Sequence, residues 1–345
     1  MGSSLPLKIS YWTGWLHPHM EGISKEVFSL AQNFPSFVFG MGKFYNFRFS
    51  IKERYFGLNF RFYYIFKILS FIIERFFSIS HIYDDLASWF YLKNLGKRPL
   101  LLTAVTGNTP LSSSFYERVR YIIVDTEERK RKLEKYFHGS FIKIIYPGLN
   151  LSHFYPSNNP PNIREFKVLF ASAPVTSNEL LTRGVWQILD AASLLPEIKF
   201  TLIWRPWGNS FSVVYHKIKE KGLSNVNLIN LLISDMRPYY HNHHVILAPF
   251  LSGGGKPCPT SVLEGIACGL PAIIGEGVSL PDIFLEKKIA VKIGKDPQDL
   301  ANAIKNLQNS WHEMHALSRK LAEKYLDFRI FLANYSKIYE TISKV

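Results

Sequence analysis

The sequence predicts an α/β protein made of two Rossmann-like domains facing a central cleft, and three observations predict it. Short aliphatic runs alternate with helix-period patterns through both halves, the order that builds parallel sheets. Residues 155–161, YPSNNPP, are dense in turn formers and divide the halves. Residues 248–274, APFLSGGGKPCPTSVLEGIACGLPAII, read as the end of a strand, a three-glycine loop, a short helix and a second strand.

Each element follows from its own residues. In the first domain, 1–155, strands are expected at residues 8–11, 79–83, 100–105, 121–124 and from 142. A loop over 13–22 carries His17 and His19 and leads into a helix over 24–33. The second domain, 156–325, restarts with a strand at 168–171. A helix over 184–195 follows, with Val185, Ile188, Leu189, Ala192 and Leu195 on one face. Strands at 200–204, 226–229 and 245–249 alternate with helices at 213–221 and 234–242, and a long charged helix over 311–343 closes the chain. There is no internal repeat.

The glycine loop carries the chemistry. Gly253, Gly254 and Gly255 leave backbone N–H groups open to close approach by an anion. Pro259 suits a first helical turn, Gly269 a helix stop, and Pro271 forbids continuation. A glycine loop feeding a helix N-terminus, here with Thr260 and Ser261, gathers partial positive charge where a phosphate can sit.

The run LEGIACGLP resembles the LEAMACGxP segment of the retaining GT-B glycosyltransferases, the family-4-like group 1 glycosyl transferases. The resemblance implies that Glu264 holds the ribose of a nucleotide diphosphate sugar. The competing reading is a capping box, since Ser261 and Glu264 fit S-x-x-E. The resemblance also implies that Arg183 takes the place of a lysine at the donor diphosphate. The arginine that accompanies it falls on about Ser172, and a second glutamate on Lys256. Two cations at a departing diphosphate stabilise charge that develops in the transition state, so Lys256 is the expected substitute, with Arg205 also near the donor. In the first domain, one glycine of a pair at the cleft remains, as Gly22. The histidine near the transferred sugar is replaced by Thr106, and His17 and Asp84 are the remaining candidates for acceptor contacts. The family's last helix, here 326–345, returns to the first domain.

The expected reaction is sugar transfer with retention, without metal or cofactor, from a nucleotide-sugar donor to a glycan or lipid-linked acceptor. A non-catalytic relative that binds nucleotide or lipid is the alternative. No D-x-D sequence occurs, and the run His241–Asn242–His243–His244 resembles a metal site only superficially.

Composition narrows the setting. Two cysteines, Cys258 and Cys268, give no disulfide framework, and the expected compartment is cytoplasmic. No secretory leader pattern and no spanning apolar run is read. The net charge is +14, and residues 1–150 supply +9 of it. Within residues 43–77, Lys43, Arg48, Lys52, Arg54, Arg61, Lys67 and Arg75 face only Glu53 and Glu74, among fourteen aromatic rings. That mixture predicts an anionic membrane surface as partner. A packed helix pair with basic side chains in water, and single-stranded RNA, are the other readings. No RNA-binding motif accompanies the stretch, so nucleic acid is not expected.

Overall fold

A computed structural model describes residues 7–14, 16, 22–42 and 46–343, in two compact units. The first comprises Met1–Gly148 with Arg329–Val345, the second Leu149–Phe328.

The first unit holds an eight-stranded sheet: β1 Ile9–Thr13, β2 Ser36–Gly42, β3 Phe47–Ser50, β4 Tyr55–Asn59, β5 Ile79–Asp85, β6 Leu100–Thr106, β7 Val119–Val124 and β8 Ile142–Ile144. The spatial order is β3-β4-β2-β1-β5-β6-β7-β8, parallel except for the β3–β4 pair. The inner strands are buried on both faces, which explains their unbroken apolar runs; in β1 Ile9, Tyr11 and Trp12 are wholly inaccessible.

Residues 43–77 differ from the helix-pair alternative. Their described part is an antiparallel hairpin, β3–β4, followed by one helix, Tyr63–Ile73. The alternation in Phe47-Arg48-Phe49 has period two and belongs to a strand, not a helix. The helix docks through Phe66, fully buried against Trp12 and Phe90, and through Ser70 one turn on. Its opposite face shows Tyr64, Ile65, Ile68, Phe71 and Ile72 to solvent. A helix apolar all round is ordinarily buried or lipid-facing. No helix among the described residues is long and apolar enough to cross a membrane.

The second unit holds six parallel strands: β9 Lys167–Ala171, β10 Lys199–Trp204, β11 Val226–Asn230, β12 Val245–Ala248, β13 Ala272–Ile274 and β14 Ala290–Lys292. Their order is β11-β10-β9-β12-β13-β14.

The structural division falls at Gly148–Leu149, ahead of the turn-rich segment expected to be the boundary. Backbone bonds explain it. Leu149 N–H donates to the Leu326 carbonyl, Phe328 N–H donates back to Leu149, and Arg319 donates to the carbonyls of Leu151 and Phe154. The same bonds break the terminal helix. One continuous helix from 311 was expected; instead Pro297–Tyr325 ends before the Leu149–Asp327 bridge and Phe328–Ser343 begins anew.

That last helix belongs to the first unit and is held there by buried polar groups. Tyr339 Oη lies 3.0 Å from Tyr11 Oη and 2.8 Å from His81 Nδ1. On the other side of the ring, His81 Nε2 meets Thr103 Oγ1, which meets Tyr335 Oη. Burial drives the His81 pKa down from 6.5 to about 3, so the ring is neutral in the fold.

Candidate functional site

Open α/β sheets bind ligands beyond the carboxyl ends of their strands, where the strand order reverses. In the second unit the order runs outward from β9 to β10 and β11 on one side, and from β12 to β13 and β14 on the other. The reversal lies between β9 and β12, so Ser172 and the glycine loop after Ala248 stand at the switch point.

Backbone against backbone shapes this place. The loop hangs from the Leu251 N–H, which donates to the Thr182 carbonyl. A side chain on Gly254 would come within 2.3 Å of that same carbonyl, and one on Gly184 within 2.4 Å of the Pro249 carbonyl. From the other side, Gly275 and Gly277 press on the Phe250 and Leu251 carbonyls, at 2.4 and 2.0 Å for an added Cβ. Gly253 and Gly255 have φ of +82° and +135°, which only glycine adopts without strain.

Arg183 reaches into this frame. Its Nη1 donates to Ser172 Oγ at 2.7 Å, its Nη2 pairs with Glu179 at 3.2 Å, and a Cβ on Gly255 would stand 3.8 Å from its Cζ. Ser172 and Arg183, the two residues that the resemblance set at the donor diphosphate, thus touch each other, next to the glycine loop. Lys256 follows Gly255 directly and is half-buried.

The helix Thr260–Ala267 begins where the loop ends. Its cap residue is Pro259, which makes no side-chain cap bond. Thr260 Oγ1 is buried with no hydrogen-bond partner among the described residues, as is Thr182 Oγ1 beside Arg183. An orphaned hydroxyl at a helix N-terminus, with a guanidinium and a glycine loop in the same switch region, suits an anion with several oxygens.

Glu264 sits in the middle of this helix, 7% exposed, so the capping-box reading is corrected: Ser261 lies inside the first turn rather than at the cap. One carboxylate oxygen accepts from Tyr240 Oη at 2.7 Å. Tyr240 is a residue that sequence reasoning missed. It adjoins the histidine run, and only its packing against the helix reveals it. The helix ends in a Schellman turn, with Leu270 N–H on Gly265 and Gly269 N–H on Ile266. Cys268 lies beneath, its thiol pushed up to about 12 by burial, so it stays protonated.

Arg205 lies just past β10, its guanidinium 4.8 Å from the Trp207 ring centre. Trp204 does not complete a sandwich; it is buried and donates to Ser210. The histidine run scatters: His241 meets the Tyr155 carbonyl, His243 Thr201, and His244 accepts from the Lys167 N–H. Among the described residues no three His, Cys, Asp or Glu side chains gather as a metal site.

In the first unit the order reverses between β1 and β5. There Asp84 accepts from the Gly14 and Asp85 N–H groups, both at 2.8 Å. Burial outweighs those bonds and raises its pKa to about 6. Thr106 donates to Asp85 at 2.7 Å, and Arg129, 1% exposed, ties Asp125 to the carbonyls of Ala104, Thr106 and Gly107. Gly22 opens the helix Gly22–Asn33, while His17 and His19 lie outside the described residues.

Residues 180–310, which contain Arg183, the glycine loop and Glu264, match the family of glycosyl transferases group 1. No curated protein matched the sequence. Among solved structures, Anabaena HepE in complex with UDP superposes with a TM-score of 0.77 at 13% identity, over 98% of this chain and 100% of that one. A glycosyltransferase from Rickettsia africae gives 0.74 at 14%, covering 98% of each chain. Sucrose-phosphate synthase from Thermosynechococcus elongatus gives 0.73 at 13%, over 97% and 98%. The fold is that of the GT-B glycosyltransferases, two parallel-sheet α/β domains with a carboxyl-terminal helix.

Proposed function

We propose that this chain, with a GT-B fold and a second unit matching the group 1 glycosyl transferases, transfers a sugar from a nucleotide diphosphate sugar to an acceptor at a membrane surface. The observation that carries the reading is the switch point of the second sheet. There Arg183, the glycine loop and the orphaned Thr260 hydroxyl surround the N-terminus of the helix that bears Glu264. Glu264 would take the ribose hydroxyls with the carboxylate that Tyr240 orients. Arg183 and Lys256 would meet the charge growing on the leaving diphosphate. Retention follows from the family resemblance, in which the leaving phosphate helps deprotonate the acceptor on the same face. Asp84 and Thr106 would face the acceptor. No resident metal or cofactor is required, so turnover should survive a chelator.

The membrane part rests on the helix Tyr63–Ile73, apolar on both faces, and on Phe47 and Phe49 of the hairpin, 60% and 51% exposed. Arg48, Lys52, Lys67 and Arg75 stand among them. Each basic residue near an anionic surface adds about 1 kcal/mol. The protein would be cytoplasmic and peripherally attached. Arg54 is not part of this surface, because its guanidinium donates to the carbonyls of Ala31 and Phe34.

Thermal shifts with UDP, GDP, ADP and their sugars identify the donor, since a ligand of the folded state raises stability by mass action. With that donor, Arg183→Ala should lower turnover about 10²–10³-fold while donor affinity changes little. Glu264→Gln should weaken nucleotide binding with the fold intact. The Glu179 carboxylate beside Arg183 favours a second reading, a nucleotide-binding relative without turnover. Nucleotide affinity without sugar release would establish that reading and overturn the first.

A further inference from the structure

Arg183 ends a long, flexible side chain, so what it can do at the glycine loop depends on what fixes its tip. Three segments converge on that tip. Ser172, just past β9, accepts from Nη1 at 2.7 Å, and Glu179 sets a carboxylate oxygen 3.2 Å from Nη2. Gly255 of the loop lies alongside, where an added Cβ would stand 3.8 Å from Cζ and 3.9 Å from Nε and Nη2. Glu179 is itself fixed before it meets the arginine. It belongs to the short helix Ser177–Thr182, capped by Thr176, whose Oγ1 accepts from the Glu179 N–H at 3.3 Å. The carboxylate turns back to the same helix end, where its Oε2 accepts from the Val175 N–H at 2.9 Å. This is a capping box whose acid reaches one residue further back than usual. The oxygen that holds Val175 is the one that meets Arg183, so the helix start, the carboxylate and the guanidinium form one chain of contacts. The two side chains keep 32% and 23% of their surface, and a pair so exposed adds little to stability. Its effect is on orientation, because Glu179 draws one nitrogen toward the helix while Ser172 draws the other toward β9.

We propose that Glu179 is a positioning residue for sugar transfer, holding the plane of the Arg183 guanidinium against the glycine loop. The proposal rests on the donor reading above, in which Arg183 meets the leaving diphosphate. Charge that develops in a transition state is stabilised most by groups already oriented toward it, which need not reorganise during the reaction. A lysine, which the resemblance expects at this place, presents a point charge and needs no particular plane. A guanidinium is planar, and it must be turned to its ligand. An arginine here therefore calls for a partner that sets its plane, and Glu179 stands four residues earlier, one helical turn back, where such a partner can reach it.

The test follows sugar release to water from UDP-glucose, GDP-mannose and ADP-glucose by the full chain, with the melting temperature of every variant measured alongside. Glu179→Ala should lower kcat about 10–100-fold, less than Arg183→Ala does, with the donor KM little changed. Glu179→Gln, which keeps an acceptor oxygen at the same reach, should restore most of the loss. Added to Arg183→Ala, Glu179→Ala should lower kcat no further, because a positioning residue acts only through its partner. Thr176→Ala removes the other bond of the capping box, so it should lower the melting temperature and leave kcat alone. Equal losses of kcat in Thr176→Ala and Glu179→Ala would reduce Glu179 to a helix cap and overturn the proposal. A further loss in the double variant would overturn it as well. Tighter donor binding or faster release in both Glu179 variants would do the same, by showing that the carboxylate holds back the charge of Arg183. Wild-type kcat in Glu179→Ala would overturn the positioning role and leave the donor reading standing. No release by the wild-type protein from any of the three donors would overturn both.

Discussion

The two sheets place groups at the same structural position, the carboxyl ends at a switch point, by opposite means. In the second unit the place is made by main chain: Gly184, Gly254, Gly275 and Gly277 let three segments cross at distances that no Cβ permits. In the first unit it is made by side chains, with Asp84, Asp85, Thr106 and Arg129 bonded to one another and to backbone. A site built from main chain keeps its residue types, because glycine has no substitute there. A site built from side chains can exchange them so long as the bonds close again. Thr106 shows this, since it stands where the family resemblance expects histidine and spends its hydroxyl on Asp85.

If side chains build the first site, removing its central cation should have the largest effect of all. Arg129 is buried with Asp125 and carries the carbonyls at the end of β6. Arg129→Ala strands the Asp125 carboxylate, and breaking a buried pair costs about 3–5 kcal/mol. Urea unfolding measures it. A loss below about 1 kcal/mol, the range of exposed pairs, would show that the turn after β6 holds itself and that the contrast between the units is false.

The returning helix sharpens the same contrast through pH. His81 is neutral in the fold, with its pKa near 3 against 6.5 when unfolded. Below pH 6.5 the unfolded chain therefore binds a proton that the folded chain refuses. Stability is intact above that pH and is lost as pH falls toward 3, by about 3 kcal/mol at about pH 4.5. Burial lowers the pKa of His243 and His244 as well, each to about 4, so the second unit contributes in the same direction. His81→Gln should flatten the acid limb of a stability–pH curve by His81's share alone. An unchanged acid limb would mean that water reaches the ring and that the helix is not held by a dry network.

The sequence made much of the second unit legible and less of the first, for the same physical reason. The strand–glycine loop–helix order and the stop at Gly269 follow from residue types that backbone geometry demands, whereas the place of Arg183 near the loop was implied by the family resemblance alone. The hairpin was not legible, because an aromatic-rich run with basic interruptions has no helix period and only a short strand period, and the strand Ser36–Gly42, SFVFGMG, carries two glycines that strands ordinarily avoid. Tyr240 was hidden because its partner Glu264 is 24 positions away. The break at Leu326–Asp327 was hidden because its cause is Leu149, far off in the chain.

The glycines of the second unit give the finest test, because they differ in what surrounds them. At Gly277 an added Cβ would stand 2.0 Å from the Leu251 carbonyl oxygen, and main chain on both sides leaves neither free to shift. Gly277→Ala should cost about 1–3 kcal/mol as overpacking and should displace the loop that carries Lys256. Gly253 has φ of +82° but nothing within 4 Å of the added carbon. Gly253→Ala should therefore cost only the left-handed backbone penalty, about 1–2 kcal/mol, with the fold of the loop retained. Donor-induced thermal shifts on the two variants separate shape from strain. The first should lose most of the shift and the second keep it. Equal loss in both would mean that the loop's backbone conformation, and not the crossing of main chains behind it, is what a donor requires.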